Sequence, residues 1–251
     1  MPSTKTTQAQ RSFALDRLRL RKSEVLRYLG YRRHATELTP RVDHLLDDCL
    51  AEAPALITGR AVTVDLEAAV RAGGVQVLSP AGRQLELKSV RLADHLQGCR
   101  RLTLLVVTAG PGLEDFAAAE MLAGNYARGV IFDAIGSEAV EAAADAVEAE
   151  VAGRAAAEGA ATTWRFSPGY GDWSLDAQPA LLELTGAAGL GISLTEAQML
   201  KPQKSVSAVI GWYPCPDPEG MRAARRERTK CRGCGQGACS YRRVPAEEVE
   251  G

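Results

Sequence analysis

The chain has 251 residues, with 30 Lys and Arg against 31 Asp and Glu, and is 46% hydrophobic but only 5% aromatic. A chain of that length buries a sizeable core, and its near-zero net charge gives no basic excess of the kind that draws a protein to nucleic acid or to an anionic membrane surface. Residues 1–12 are polar without an apolar signal region, and no run of about eighteen uncharged apolar residues follows, so the expected location is the cytoplasm.

The stretch 15–33 is basic and amphipathic. Leu18, Val25, Leu26 and Leu29 keep roughly helical spacing, which predicts a helix ending near Gly30. It reads as a basic helical arm, 1–33, outside a main body over 34–213. Thr39-Pro40 then supplies an N-cap and a favoured first helical residue, and Val42, Leu45, Leu46, Cys49 and Leu50 mark one apolar face up to Pro54. Between 55 and 90, short β-type runs at 61–66, 75–78 and 85–90 alternate with Gly/Pro turns, the pattern of an antiparallel meander. The run 102–108 (LTLLVVT) is continuously apolar and β-branched, as expected of a strand buried on both faces. Gly110-Pro111-Gly112 follows it, without the further glycines or the Lys-Ser/Thr of a phosphate-binding signature, and reads as a structural turn.

An alanine-rich helix is predicted over 132–159, with Val140, Ala143, Ala144, Val147 and Val151 on one face and Glu141, Asp145 and Glu148 along another. Two readings of those acids stand: a solvated stripe, or a row from which Glu141 points into a ligand site to meet an ammonium group. The loop 165–173, RFSPGYGDW, supports the second. Arg165 can hold a carboxylate bidentately, Pro168 stiffens the turn, and Gly169 lets the main chain approach a ligand. The faces of Trp164, Tyr170 and Trp173 suit a flat base or a sulfonium. The combination describes a cradle for a small zwitterion with a cationic centre, although R-x-x-x-G-Y by itself also fits an ordinary surface turn. A short helix at 177–187 and strands at 191–194 and 206–212 complete the order helices, strands, helix, strands. That order predicts α+β with a mainly antiparallel sheet.

Of the six cysteines, Cys49 and Cys99 stand alone in apolar contexts, while Cys215, Cys231, Cys234 and Cys239 crowd into a Cys/Arg-rich segment over 214–251. In a reducing compartment that crowding favours metal or redox chemistry, and a Gly/Arg-rich segment with no apolar pattern needs a metal or a cross-link to hold a shape. Four thiolates suit zinc or an iron–sulfur cluster, and the spacing leaves both open. Arg222, Arg225, Arg226, Arg228, Lys230, Arg232, Arg242 and Arg243 make a local positive patch. It reads either as a solvated tail or as a dock for an acidic partner, such as a flavodoxin- or ferredoxin-like electron donor or a corrinoid protein.

Three blocks, DAIGSEAVEAAADAVEAEV at 133–151, RFSPGYGDW at 165–173 and LTEAQMLKPQKSVSA at 194–208, occur in an order and spacing that resemble the activation domain of cobalamin-dependent methionine synthase, and more closely the stand-alone proteins built on that domain. The resemblance covers about 104–211, is weak before that, and is absent from the cysteine segment. It implies a curved, mainly antiparallel sheet with flanking helices. S-adenosylmethionine would lie in a groove beside that sheet, presenting its methyl group to a cobalamin carried by a corrinoid-binding protein or a core methionine synthase. On this resemblance Arg165 would hold the ligand's carboxylate, Glu141 its ammonium, Gly169 would allow close main-chain hydrogen bonds, and Tyr170 would cover the sulfonium or face the corrinoid. Pro202, Ser205, Val206 and Ser207 match the later block and would shape the sheet, with Ser205 as a further contact. The family carries an aspartate on its N-terminal arm where this chain aligns Gly30. The implied function is reductive methylation that reactivates a corrinoid methyltransferase. Two other classes stand beside it: a nucleic-acid-binding module gripping through the cysteine knuckle, and an iron–sulfur protein that reduces a corrinoid without methylating it.

Overall fold

The computed structural model describes residues 10–15, 18–31, 36–78, 82 and 84–221. Its central strand, β5 (Arg101–Thr108), is buried at every position after the first, which is why its sequence shows no polar alternation. β5 pairs antiparallel with β2 (Arg60–Arg71) on one side and β9 (Ser205–Pro214) on the other. β2 serves several neighbours. Its first part also pairs with β1 (Gln10–Ala14), whereas positions 68–71 turn to β3 (Gly74–Leu78), which continues to β4 (Gln84–Lys88). A short β6 (Ala160–Thr162) closes the far edge against β9, giving the order β4-β3-β2-β5-β9-β6 with β1 beside β2. The sheet is antiparallel throughout and curls into half a barrel.

Among the described residues six α-helices flank it: α1 (Lys22–Tyr28), α2 (Pro40–Glu52), α3 (Val90–His95), α4 (Gly112–Leu122), α5 (Tyr126–Ala157) and α6 (Gln178–Thr185). α5 covers one face of the sheet. Its Ala143, Val147, Val151 and Ala155, four residues apart, form a stripe that lies on Leu105, Val107, Ala208 and Ile210. The first half of α5 packs instead on Val25 of α1, Leu46 and Cys49 of α2, and Leu113 and Ala117 of α4. The opposite face buries Leu102, Leu104 and Val209 under Leu92 and Leu96 around α3, and under Leu181 and Leu184 of α6. A hairpin of β7 (Ser193–Leu194) and β8 (Leu200–Lys201) leads into Lys204, just before β9. The methylenes of Lys204 lie against Gly136 of α5, and its Nζ reaches Asp133 at 2.7 Å and Ser137 at 3.0 Å.

The α+β reading agrees with this architecture, as do the meander, the doubly buried strand and the helix opened by Thr39-Pro40. The segment 1–33 departs from the expected arm. Among its described residues, positions 10–14 form an edge strand, Lys22–Tyr28 is helical, and Val25 is fully buried, because Phe13, Leu15, Leu18 and Leu20 cover the flank of the core. α5 also starts earlier than the predicted 132. Gly129 lies in its first turns, where a side chain would collide with Ala117 O and Met121, so this glycine permits close approach to α4 and does not end the helix. Gly110 and Gly112 pack with equal closeness on Thr58 and Leu56, in keeping with a structural turn. No helix among the described residues is long and apolar enough to cross a membrane.

Candidate functional site

α5 carries Glu138, Glu141, Asp145 and Glu148 at spacings of three and four residues, so that the four carboxylates form one row. Arg165 is brought to that row by strand pairing. Phe166 exchanges two 2.9 Å backbone hydrogen bonds with Val209, and its ring joins the core on the α3/α6 side of the sheet. In extended backbone the neighbouring side chain points the opposite way, toward α5. Arg165 Nη1 donates to Asp145 Oδ1 at 2.6 Å and to Glu148 Oε2 at 2.5 Å, Nη2 donates to Glu141 Oε2 at 2.6 Å, and the backbone N–H reaches Glu148 Oε1 at 3.2 Å. The Arg165 side chain is only 6% exposed. Burial works to lower its pKa, but the carboxylates of Glu148, Glu141 and Asp145 outweigh that and raise it, so the cation is fixed. The acids are therefore neither a solvated stripe nor free: three of them converge on one guanidinium.

One turn earlier the row continues with residues that sequence reasoning missed. The Glu138 side chain is fully buried and accepts from Arg21 Nε at 2.8 Å, from Arg21 Nη2 at 3.4 Å and from the Arg21 backbone N–H at 3.3 Å. Arg21 Nη2 also lies 3.7 Å from Asp145 Oδ2. Burial pushes the Glu138 pKa up against the opposing pull of Arg21. Glu138 was legible as a helical neighbour of Glu141. Nothing local announces Arg21, which lies 117 residues away.

The rest of the 165–173 loop is held by its own backbone and by α3. Gly169 has φ +91° and donates to Trp173 O at 2.7 Å, a conformation that favours glycine. Asp172 accepts from Ser89 Oγ at 2.5 Å, Val90 N at 2.8 Å and Arg91 N at 3.1 Å, closing the N-terminus of α3. These bonds hold its carboxyl below the usual aspartate range, Ser89 first. Trp173, expected to offer its face to a ligand, is 2% exposed and packs with Phe166 in the core under the sheet. Of the other two aromatics, Trp164 is half-buried and Tyr170 is the more exposed, at 58%. Desolvation on its protein side and the Glu141 charge push its pKa up, with Arg165 opposing.

The structure thus brings Arg165 and Glu141 into contact, with Gly169 and Tyr170 in the same loop. Ser205 lies at the start of β9, where its hydroxyl bonds Thr108 Oγ1 at 2.9 Å, roughly 13 Å along the strand from the Val209 pairing. A separate concavity of about 800 Å³ opens where β2 leaves β5 for β3, bordered by Arg71, Leu78, Arg100, Arg101 and Tyr213. None of Glu141, Arg165, Gly169, Tyr170 and Ser205 lines it.

Cys49 and Cys99 are buried, and burial pushes the Cys99 thiol up to about 11, as befits inert core residues. Cys215 is half-buried just beyond β9, and its backbone N–H donates to Gly159 O at 3.2 Å. Cys231, Cys234 and Cys239, with the arginines around them, lie outside the described residues. No group of three or more metal-ligating side chains occurs among the described residues.

No family model matches the sequence, and no curated protein matches it. Among solved structures the chain is similar to the crystal structure of the MetH reactivation domain bound to AdoHcy, at 14% sequence identity and a TM-score of 0.54, over 88% of this chain and 86% of that one. At that identity the likeness concerns the fold: a curled antiparallel half-barrel with flanking helices is common to the two, and it is the architecture that the three sequence blocks imply.

Proposed function

We propose that the chain binds S-adenosylmethionine beside the acid row of α5 and serves the reductive methylation of a corrinoid carried by another polypeptide, a corrinoid methyltransferase or core methionine synthase. The observation that carries this reading is the charge balance of the row. Four carboxylates face two guanidiniums, a net of about −2, next to an exposed tyrosine. The ligand brings an ammonium, a sulfonium and a carboxylate, a net of about +1, so it complements that field. The shared fold supports the reading, since the similar domain was crystallised with AdoHcy.

When bound, the ligand supplies a methyl group on a sulfonium that is already a good leaving group, for transfer to a corrinoid reduced by an external one-electron donor. The chain's own residues have to align and shield. Glu141, partly exposed at the rim of the row, meets the ammonium. Arg165 holds Glu141, Asp145 and Glu148 in register. Gly169 leaves the main chain accessible, and Tyr170 lies over the sulfonium.

Titration calorimetry with S-adenosylmethionine tests the proposal. Wild type is expected to bind, and Glu141→Gln to bind about tenfold more weakly through loss of a charge-assisted contact. Absence of binding to wild type would overturn the proposal, and equal affinity in the two proteins would remove Glu141 from the site.

A further inference from the structure

An amino-acid tail brings a carboxylate as well as an ammonium, and the residue that the sequence motif offers for it is already engaged. Arg165 is 6% exposed, and both its Nη atoms donate to acids of the same protein. A ligand carboxylate would have to compete with them, and taking the guanidinium from Glu148, whose side chain is 9% exposed, would strip a buried anion of its cation, which is costly in a low-dielectric setting. The second guanidinium on the row is placed differently. Arg21 is 37% exposed and is held along its Nε/Nη2 edge by the fully buried Glu138. Its Nη1 has no hydrogen-bond partner among the described residues.

Resting on the ligand reading above, we infer that Arg21, not Arg165, is the anchor for the ligand's carboxylate. Glu138 fixes the plane of the Arg21 fork, so that the outward edge is pre-oriented for a planar, two-oxygen acceptor, and little rotamer freedom is left to lose on binding. Asp145 joins the two halves of the site: Oδ1 bonds Arg165 and Oδ2 lies 3.7 Å from Arg21 Nη2. Glu141 is bonded to the same Arg165 guanidinium, so the ammonium-binding acid and the carboxylate-binding cation are neighbours on one row, as the two charges are in an α-amino acid. The segment before α1 thereby contributes a cation to the site.

The test compares S-adenosylmethionine with its decarboxylated analogue, in which the carboxylate is absent and the ammonium and sulfonium remain. Calorimetry on wild type is expected to favour the intact ligand by about tenfold. In Arg21→Gln the intact ligand weakens by about that factor, the analogue is unchanged, and the preference disappears. Should Arg21→Gln fail to fold with Glu138 left charged, Arg21→Gln/Glu138→Gln replaces the ion pair with two amides that can bond each other, and the same loss of preference is expected. Equal weakening of both ligands, or retention of the preference, overturns the anchor and returns the carboxylate to Arg165, with ligand binding itself intact. Failure of wild type to bind either compound overturns the ligand reading and the anchor together.

Discussion

Glu141 and Arg165 stand 24 residues apart in the chain and meet at 2.6 Å, Oε2 to Nη2, on a guanidinium that Asp145 and Glu148 share. A buried cation with three acids is a structural element before any ligand arrives. Arg165→Ala should therefore take the cation from the buried Glu148 and cost about 3–5 kcal/mol of stability. Arg165→Lys keeps the charge but loses the fork, and should fall between. Urea denaturation midpoints check both, and an unchanged midpoint in Arg165→Ala would show that the cluster is not a stabilising one.

Glu138 gives the row a pH signature. Its folded pKa is held above the ordinary glutamate value of about 4.3 by burial, so its favourable contribution is complete below that value and is lost as pH rises through the raised folded value. Wild type should gain stability relative to Glu138→Gln as pH is lowered from 7 toward 4. The opposite trend would mean that the Arg21 charge dominates over burial.

Asp172 predicts the reverse dependence for the loop. Its folded pKa is depressed by Ser89 and by the amides of Val90 and Arg91, so its contribution is present above the ordinary aspartate value of about 3.9 and is lost as pH falls through the depressed folded value. Asp172→Asn should melt earlier than wild type at neutral pH, with faster hydrogen exchange at the Val90 and Arg91 amides. The difference should vanish in acid.

Tyr170 should report on the sulfonium. Replacing it by Ala is expected to weaken S-adenosylmethionine about threefold to thirtyfold, the span of a cation–aromatic contact, while Tyr170→Phe retains most of the affinity. The neutral thioether S-adenosylhomocysteine should be affected less by either change. Equal losses for both ligands would place Tyr170 away from the sulfur.

A wild-type preference for the sulfonium over the thioether also follows from the net negative row, and should shrink as salt is added. Calorimetry at two ionic strengths measures it. A preference indifferent to salt would point to contacts other than charge.

Much of the architecture was legible because burial leaves plain marks. β5 is apolar at successive positions because both its faces are covered, and α2 opens at Thr39-Pro40 because that pair suits a helix start. Arg165, Gly169 and Tyr170 were legible as a motif, and Glu141 as a helix position. The environment of the acids was not, because a spacing of three and four residues serves a solvated face and a buried ladder equally well. β1 has five residues, too few for a periodic signal, and the Arg21–Glu138 pair depends wholly on tertiary packing. Trp173 lies in the core where a ligand-facing ring was expected, while Tyr170 stays at the surface, a choice set by tertiary packing that composition does not show.

The lysine stem packed on Gly136 sets a vernier between helix and sheet. A Cβ at that glycine would stand 3.0–3.2 Å from the Lys204 methylenes, so a larger residue there requires the lysine stem, or the turn and helix it bridges, to give by a few tenths of an ångström. One residue of slip along α5 is about 1.5 Å of travel and 100° of rotation, enough to swing Glu141 off its guanidinium. The alignment of charges at one edge of the sheet is thus tuned by the absence of a methyl group at another, and Gly136→Ala should detune it while leaving every charged residue in place.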